Sequence, residues 1–230
     1  MTDFTLPQQI ALGLSETHLT EVLSNGKAHQ LHQQVKSDWQ RLFTSAQNDG
    51  IDLTIASAYR SFERQRMIWN NKANGLRPVN DANNQHLDVA SLTKEELLFH
   101  ILHWSALPGA SRHHWGTDLD VYAPSMLTQS LQLEPWEYDA GGPMEQLGTW
   151  LIENLNDHGF FLPYQSYNGG VAREPWHISH IEQSQQYSDT LNLMLLEQCV
   201  EQHEMGLKTQ IQRNLAEIYQ RYIINIVKSS

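Results

Sequence analysis

The chain has 230 residues, 40% of them hydrophobic, which suits a buried core and excludes a disordered chain. A formal net charge of −11 repels phosphate backbones and sets nucleic acid aside as a partner. One cysteine, Cys199, permits no internal disulfide; it falls in the apolar run 191–200 and is expected to be buried and inert.

At the amino terminus, Met1-Thr2-Asp3-Phe4-Thr5 has no basic stretch leading into an apolar one, so no signal peptide is readable. No apolar run approaches the ~20 residues of a membrane span. The expectation is a cytoplasmic chain. Residues 5–49 read as helices: over 28–46, Leu31, Val35, Trp39, Leu42 and Phe43 recur near a 3.6 period, and Gly50 supplies the stop. Residues 52–59 read as a strand with Leu53 and Ile55 on one face. Ser61 can cap a helix running to about Ala73, before Asn74-Gly75. The polar loop 74–91 is long enough to be a lid or a substrate wall. Thr93-Lys94-Glu95-Glu96 is a capping box opening a helix to about Trp104, and Pro108-Gly109 breaks the pattern.

Leu119-Asp120-Val121-Tyr122 alternates like a half-buried strand, with Asp118 and Asp120 on one face and Leu119 and Val121 on the other. After Gly141-Gly142-Pro143, residues 144–158 form an amphipathic helix with Leu147, Trp150, Leu151 and Leu155 inward, stopped by Gly159. Residues 160–162 are a short strand, and Asn168-Gly169-Gly170 turns into a second alternating segment in which His177 and Ser179 oppose Trp176 and Ile178. Residues 183–228 carry two helical patterns around Gly206. The second has a heptad-like stripe of Leu207, Ile211, Leu215, Ile218 and Tyr222 that needs a surface to pack on. The fold class is α+β: a small antiparallel sheet carrying the site, flanked by helices. Residues 1–182 read as the catalytic domain, including N-terminal helices over 1–50, and 183–230 as a C-terminal helical hairpin extension.

The chemistry concentrates in Ser111-Arg112-His113-His114-Trp115-Gly116-Thr117-Asp118-Leu119-Asp120 and in Glu174-Pro175-Trp176-His177. His113 and Asp120, on either side of a glycine turn, supply two metal ligands and His177 a third; imidazole plus carboxylate suits zinc. Three protein ligands leave a fourth position for water, the pattern of a catalytic zinc, and Glu174 is placed to act as general base. His86, His100, His103 and His114 read as ordinary imidazoles, and His180 points to the opposite face from His177. Ser91-Leu92-Thr93-Lys94 matches a serine-peptidase tetrad without its companion motifs, so Thr93 is read as a helix cap.

Ser111-x-His113-x-x-Gly116-x-x-x-Asp120 followed by Glu174-x-x-His177 resembles the zinc D-alanyl-D-alanine carboxypeptidases and dipeptidases. These are the VanY-like members of a group that also includes the zinc-bearing domain of hedgehog proteins. The resemblance covers roughly residues 50–182. It implies one Zn2+ held by His113, Asp120 and His177, with Glu174 as general base on a zinc-activated water. It also implies that Arg60, in Ser57-Ala58-Tyr59-Arg60-Ser61, polarises the scissile carbonyl and binds the substrate carboxylate, with Gln65 and Ser111 as further substrate contacts. The chain departs from the family pattern at Asp118, where alanine is usual. That carboxylate can orient a ligand histidine, bind a substrate amine or sit in a salt bridge, and the sequence leaves the three open. The function implied is removal of the terminal D-alanine from peptidoglycan-derived peptides. L,D-carboxypeptidase or endopeptidase action on murein peptides, and a non-catalytic hedgehog-like zinc module, stand as alternatives. Retention of both Glu174 and Arg60 argues against the last. The C-terminal helices are a possible interface, with the oligomeric state open.

Overall fold

In the computed structural model, which describes residues 4–227, a short helix α1 (Leu6–Ala11) leads into structure that the helical reading of 5–49 did not anticipate. β1 (Leu19–Ser24) and β2 (Lys27–His32) form an antiparallel hairpin. Asn25 and Gly26 join them with φ of 48° and 73°, the twisted two-residue turn that Asn-Gly favours. The apolar period over 28–46 had merged two elements. Leu31 and Val35 are buried from the strand and the turn after it, whereas Trp39 and Leu42 are buried from helix α2 (Lys36–Asn48).

Four further strands, β3 (Thr54–Ser57), β4 (Asp118–Tyr122), β5 (Phe160–Phe161) and β6 (His177–His180), form a second sheet in the order β3-β4-β6-β5. Every neighbouring pair is antiparallel. Alternation divides its two faces. Leu119, Val121 and Ile178 pack with Trp39 and Leu42 of α2 and with Leu147 and Leu151 of α5 (Glu145–Asn154) in one apolar core. Asp118, Asp120, His177 and Ser179 face the other way.

A second core lies on that other side. Phe62 and Trp69 of α3 (Phe62–Ala73) and Leu98 and Ile101 of α4 (Lys94–Trp104) meet Leu196, Cys199, Ile211 and Leu215 there. Ser61 Oγ accepts from Arg64 N (3.2 Å) to start α3, and the Thr93–Glu96 box starts α4 as expected. The C-terminal region is three helices, not a two-helix hairpin: α6 (Ile181–Thr190), α7 (Leu193–Gln202) and α8 (Lys208–Ile218), followed by a wider π turn over Tyr219–Ile223. The expected boundary at 182 therefore falls inside α6, and residue 228 lies outside the described residues. The stripe of Ile211, Leu215, Ile218 and Tyr222 is buried against the protein itself, each such side chain contributing about 1.5–3 kcal/mol. Trp69 Nε1 donates to Gly206 O (2.8 Å) and Gly206 N to Asn70 Oδ1 (2.8 Å), tying α3 to the α7–α8 connection. Cys199 is buried, and burial pushes its thiol up to about 12. No helix among the described residues is long and apolar enough to cross a membrane.

Candidate active site

The site occupies the seam between the two cores. A tight turn over Arg112–Trp115 carries His113 and ends at Gly116, whose φ is 66°. A Cβ at Gly116 would lie 2.8 Å from the backbone nitrogen of His32, and that nitrogen donates to Gly116 O at 2.8 Å. The glycine of the motif is thus the point where the N-terminal hairpin seats on the site. From there β4 sets Asp120 directly opposite His177 of β6. The Glu174-x-x-His177 spacing is a turn, with His177 N donating to Glu174 O (3.1 Å) and Pro175 at its second position. The turn brings Glu174 Oε2 to 3.3 Å from His177 Nδ1.

His113 Nδ1 meets the carbonyl of Ala58 at 2.9 Å. A carbonyl only accepts, so Nδ1 carries the hydrogen and the lone pair of Nε2 is free, 3.4 Å from Asp120 Oδ2. His177 is oriented the other way round: Nε2 lies 3.0 Å from Asp118 Oδ1, and Nδ1 faces Asp120 Oδ1 at 3.3 Å. Ligand atoms of His113, Asp120 and His177 all lie within 4.8 Å of one another. Asp120 Oδ1 and His177 Nδ1 are buried with no hydrogen-bond partner, a cost of about 1–3 kcal/mol per group. Two orphaned buried atoms converging with a third ligand is the arrangement a cation relieves. Two imidazoles and a carboxylate fit zinc.

Charge balance points the same way. Burial alone would lower the His177 imidazole, yet its hydrogen bond to Asp118 and the nearby carboxylates of Asp120 and Glu174 outweigh it and hold its pKa well above the usual value. Burial opposes ionisation of Asp120, and the neighbouring imidazoles of His113 and His177 overcome that and keep it well below the usual carboxylate range. The pocket favours positive charge, which a proton or a metal ion can supply.

Asp118, expected as one possible substrate contact, does not line the cleft. It is fully buried, and its oxygens are taken up by Arg112 Nε (2.7 Å), Thr117 Oγ1 (2.6 Å) and His177. Its contacts are those of two of the three roles the sequence left open, orienting His177 and pairing with Arg112. Arg112 in turn donates to Ser179 Oγ (2.6 Å). Gln65 does not line the cleft either. It is fully buried, accepting from Arg60 Nη1 (2.9 Å) and donating to Ala106 O (2.6 Å), and so holds the arginine.

Arg60 faces the cleft from the connection between β3 and α3. Its backbone nitrogen donates to His113 O (3.0 Å). Its carbonyl receives Nδ1–H of His114 (2.6 Å), whose Nε2 accepts from Gly109 N (3.1 Å). Burial pushes His114 down to about 3, so the neutral ring is a fixed connector between the metal turn and Arg60. Sequence reading had set His114 aside and gave Arg112 and Ser179 no role. Arg112 and His114 lie inside the motif, but nothing in their spacing shows what they bind. The cleft of about 240 Å3 exposes Arg60, Ser111, His113, Asp120, Glu174 and His177. Its apolar walls come from Leu133, Tyr164, Trp176 and Tyr222, and residues 74–91, expected as a lid or wall, do not line it.

The family model of VanY D-alanyl-D-alanine carboxypeptidases matches residues 28–183. The chain belongs to the VanY family. A D-alanyl-D-alanine carboxypeptidase of Enterococcus faecalis is 27% identical over 164 residues, 70% of this chain and 51% of that protein. An uncharacterized protein of Haemophilus influenzae is 38% identical over 122 residues, 51% of this chain and 93% of that one. Among solved structures, VanYB in complex with D-alanine-D-alanine aligns with a TM-score of 0.52 at 25% identity, covering 79% of this chain and 87% of that one. The LdcB LD-carboxypeptidase shares the fold, with a TM-score of 0.51 at 19% identity over 87% of this chain and 80% of that one. The VanY match ends within α6, so Tyr222 reaches the cleft from outside the matched region.

Proposed function

We propose that this VanY-family protein is a zinc-dependent D,D-carboxypeptidase that removes the terminal D-alanine of peptidoglycan-type peptides. The observation that carries the reading is the convergence of His113, Asp120, His177 and Glu174 on one cleft into which Arg60 and Ser111 also face. Zn2+ held by the two histidines and Asp120 supplies a Lewis acid and lowers the pKa of water in the site to about 7. Glu174, partly buried beside His177, takes a proton as general base and returns it to the amine that leaves. The Arg60 guanidinium, held by Gln65 and by Ser57 Oγ (3.4 Å), is aimed in advance at developing negative charge. Ser111 Oγ makes no hydrogen bond to a described residue and is available to the substrate carboxylate.

The test is to assay zinc-supplemented protein on D-alanyl-D-alanine, a muramyl pentapeptide and the corresponding tetrapeptide, with and without chelator. Release of D-alanine from the pentapeptide is expected, abolished by chelation, restored by zinc, and much slower when the C-terminus is amidated. Release only from the tetrapeptide would convert the reading to an L,D-carboxypeptidase. Equal cleavage of free and amidated peptides would convert it to an endopeptidase, and no release from any substrate would overturn it.

A further inference from the structure

Two cations flank the cleft, and neither has a carboxylate within ion-pair distance among the described residues. One is Arg60. The other is Lys72, in the last turn of α3, a residue that no motif singles out. Lys72 Nζ donates to Ser105 Oγ at 2.6 Å, and Ser105 is part of the cleft wall just beyond α4. An ammonium has three donors; this one spends a single donor on a described residue.

Lys72 is partly buried. Burial, with Arg77 and Arg60 nearby, pulls its ammonium down to about 8, while Glu174 draws it up. Its charge thus shares the field of the cleft. A half-desolvated cation without a counter-ion is costly to keep, and its missing partner is an anion. The two cations are not equivalent. Arg60 lines the cleft together with His113, Asp120 and His177, whereas Lys72 meets it only through Ser105. Arg60 therefore sits nearer the metal ligands and Lys72 farther out. In a C-terminal D-alanine the scissile carbonyl and the α-carboxylate are separated by the amide nitrogen and Cα. A developing oxyanion and a carboxylate a few bonds apart fit two cations better than one shared guanidinium.

We propose that the Lys72–Ser105 pair is a receptor for the terminal carboxylate of the substrate, leaving Arg60 to the scissile carbonyl. This rests on the carboxypeptidase reading and divides between two side chains the tasks that the family resemblance gives to Arg60. The ammonium supplies charge and two unspent donors, and Ser105, fixed by Lys72, turns its own hydroxyl hydrogen toward the carboxylate.

The experiment compares zinc-loaded wild type, Lys72→Met, Lys72→Arg and Ser105→Ala on a pentapeptide as free acid and as C-terminal amide, with zinc content and Tm recorded for each. In Lys72→Met the free-acid preference in kcat/KM is expected to fall roughly tenfold or more, the size of one charge-assisted hydrogen bond, mainly through KM. Ser105→Ala should show a smaller fall, and Lys72→Arg should keep most of the preference. A wild type that prefers the free acid, with that preference intact in Lys72→Met, overturns the proposal and leaves the carboxypeptidase reading standing. Equal loss on both substrates in Lys72→Met reduces Lys72 to a structural role and also overturns it. A wild type without any preference overturns both.

Discussion

Each side chain of the candidate site is held by a neighbour that fixes its direction. Glu174 is aimed by the proline turn, and Glu174→Gln keeps its shape while removing the base. Turnover on the pentapeptide is expected to fall roughly 10²–10⁴-fold with zinc content unchanged, and near wild-type turnover would exclude Glu174 as the base. Asp118 holds His177 through Nε2, so Asp118→Asn should weaken zinc binding by about 10–100-fold, read by competition with a chromophoric chelator. Its Tm should drop as well, because Arg112 loses a buried ion pair whose one-sided removal costs about 3–5 kcal/mol. Unchanged zinc affinity would mean that His177 is oriented by its backbone alone. That His113, Asp120, His177 and Glu174 come together was legible because strand alternation and a four-residue turn dictate where such spacings point. Gln65 and Asp118 were misplaced because spacing tells which face a residue takes, and not whether that face opens on a cleft or on Arg60 or Arg112.

Among the elements, the β1–β2 hairpin departs furthest from the sequence reading. Its signal, Asn25-Gly26, was present but was overridden by a helical period running through Leu31 and Val35. The hairpin brings a titratable cluster with it. His32 Nε2 hydrogen-bonds to Tyr187 of α6 (3.0 Å), and the His18 ring lies 5.5 Å from that of His32 with both nitrogens unpaired. Burial, with His32 adding charge repulsion, lowers His18 to about 4; burial, with His180 adding the same, lowers His32 to about 4. The unfolded chain, with ordinary values near 6.5, therefore binds protons first on acidification. The stability from keeping these rings neutral is complete above about pH 6.5 and is lost as pH falls toward 4. Thermal midpoints recorded from pH 7.5 to 4.5 should decline more steeply in the wild type than in His18→Leu, and parallel slopes would show that the hairpin is not the acid-sensitive element.

At the scale of the whole molecule the question is whether the C-terminal helices can be removed. Sequence reading found helical patterns there and an apolar stripe in the second, and a separable extension was the natural inference, since the apolar surface that meets a helix far along the chain leaves no local trace. In the fold, Leu196, Cys199, Ile211 and Leu215 share one core with α3 and α4. A chain ending at residue 182 should therefore be insoluble or unfolded by circular dichroism and bind no zinc; a folded, zinc-binding 1–182 fragment would restore the two-part division. The position of Tyr222 has a further consequence, in the order of synthesis. A chain emerging from the ribosome presents His113, Asp120 and His177 first, and the π turn that completes the cleft well afterwards. Because Leu196, Ile211 and Leu215 are part of the core behind the site, folding of the candidate metal site and completion of the cleft are expected to come together, only once the last helices have emerged.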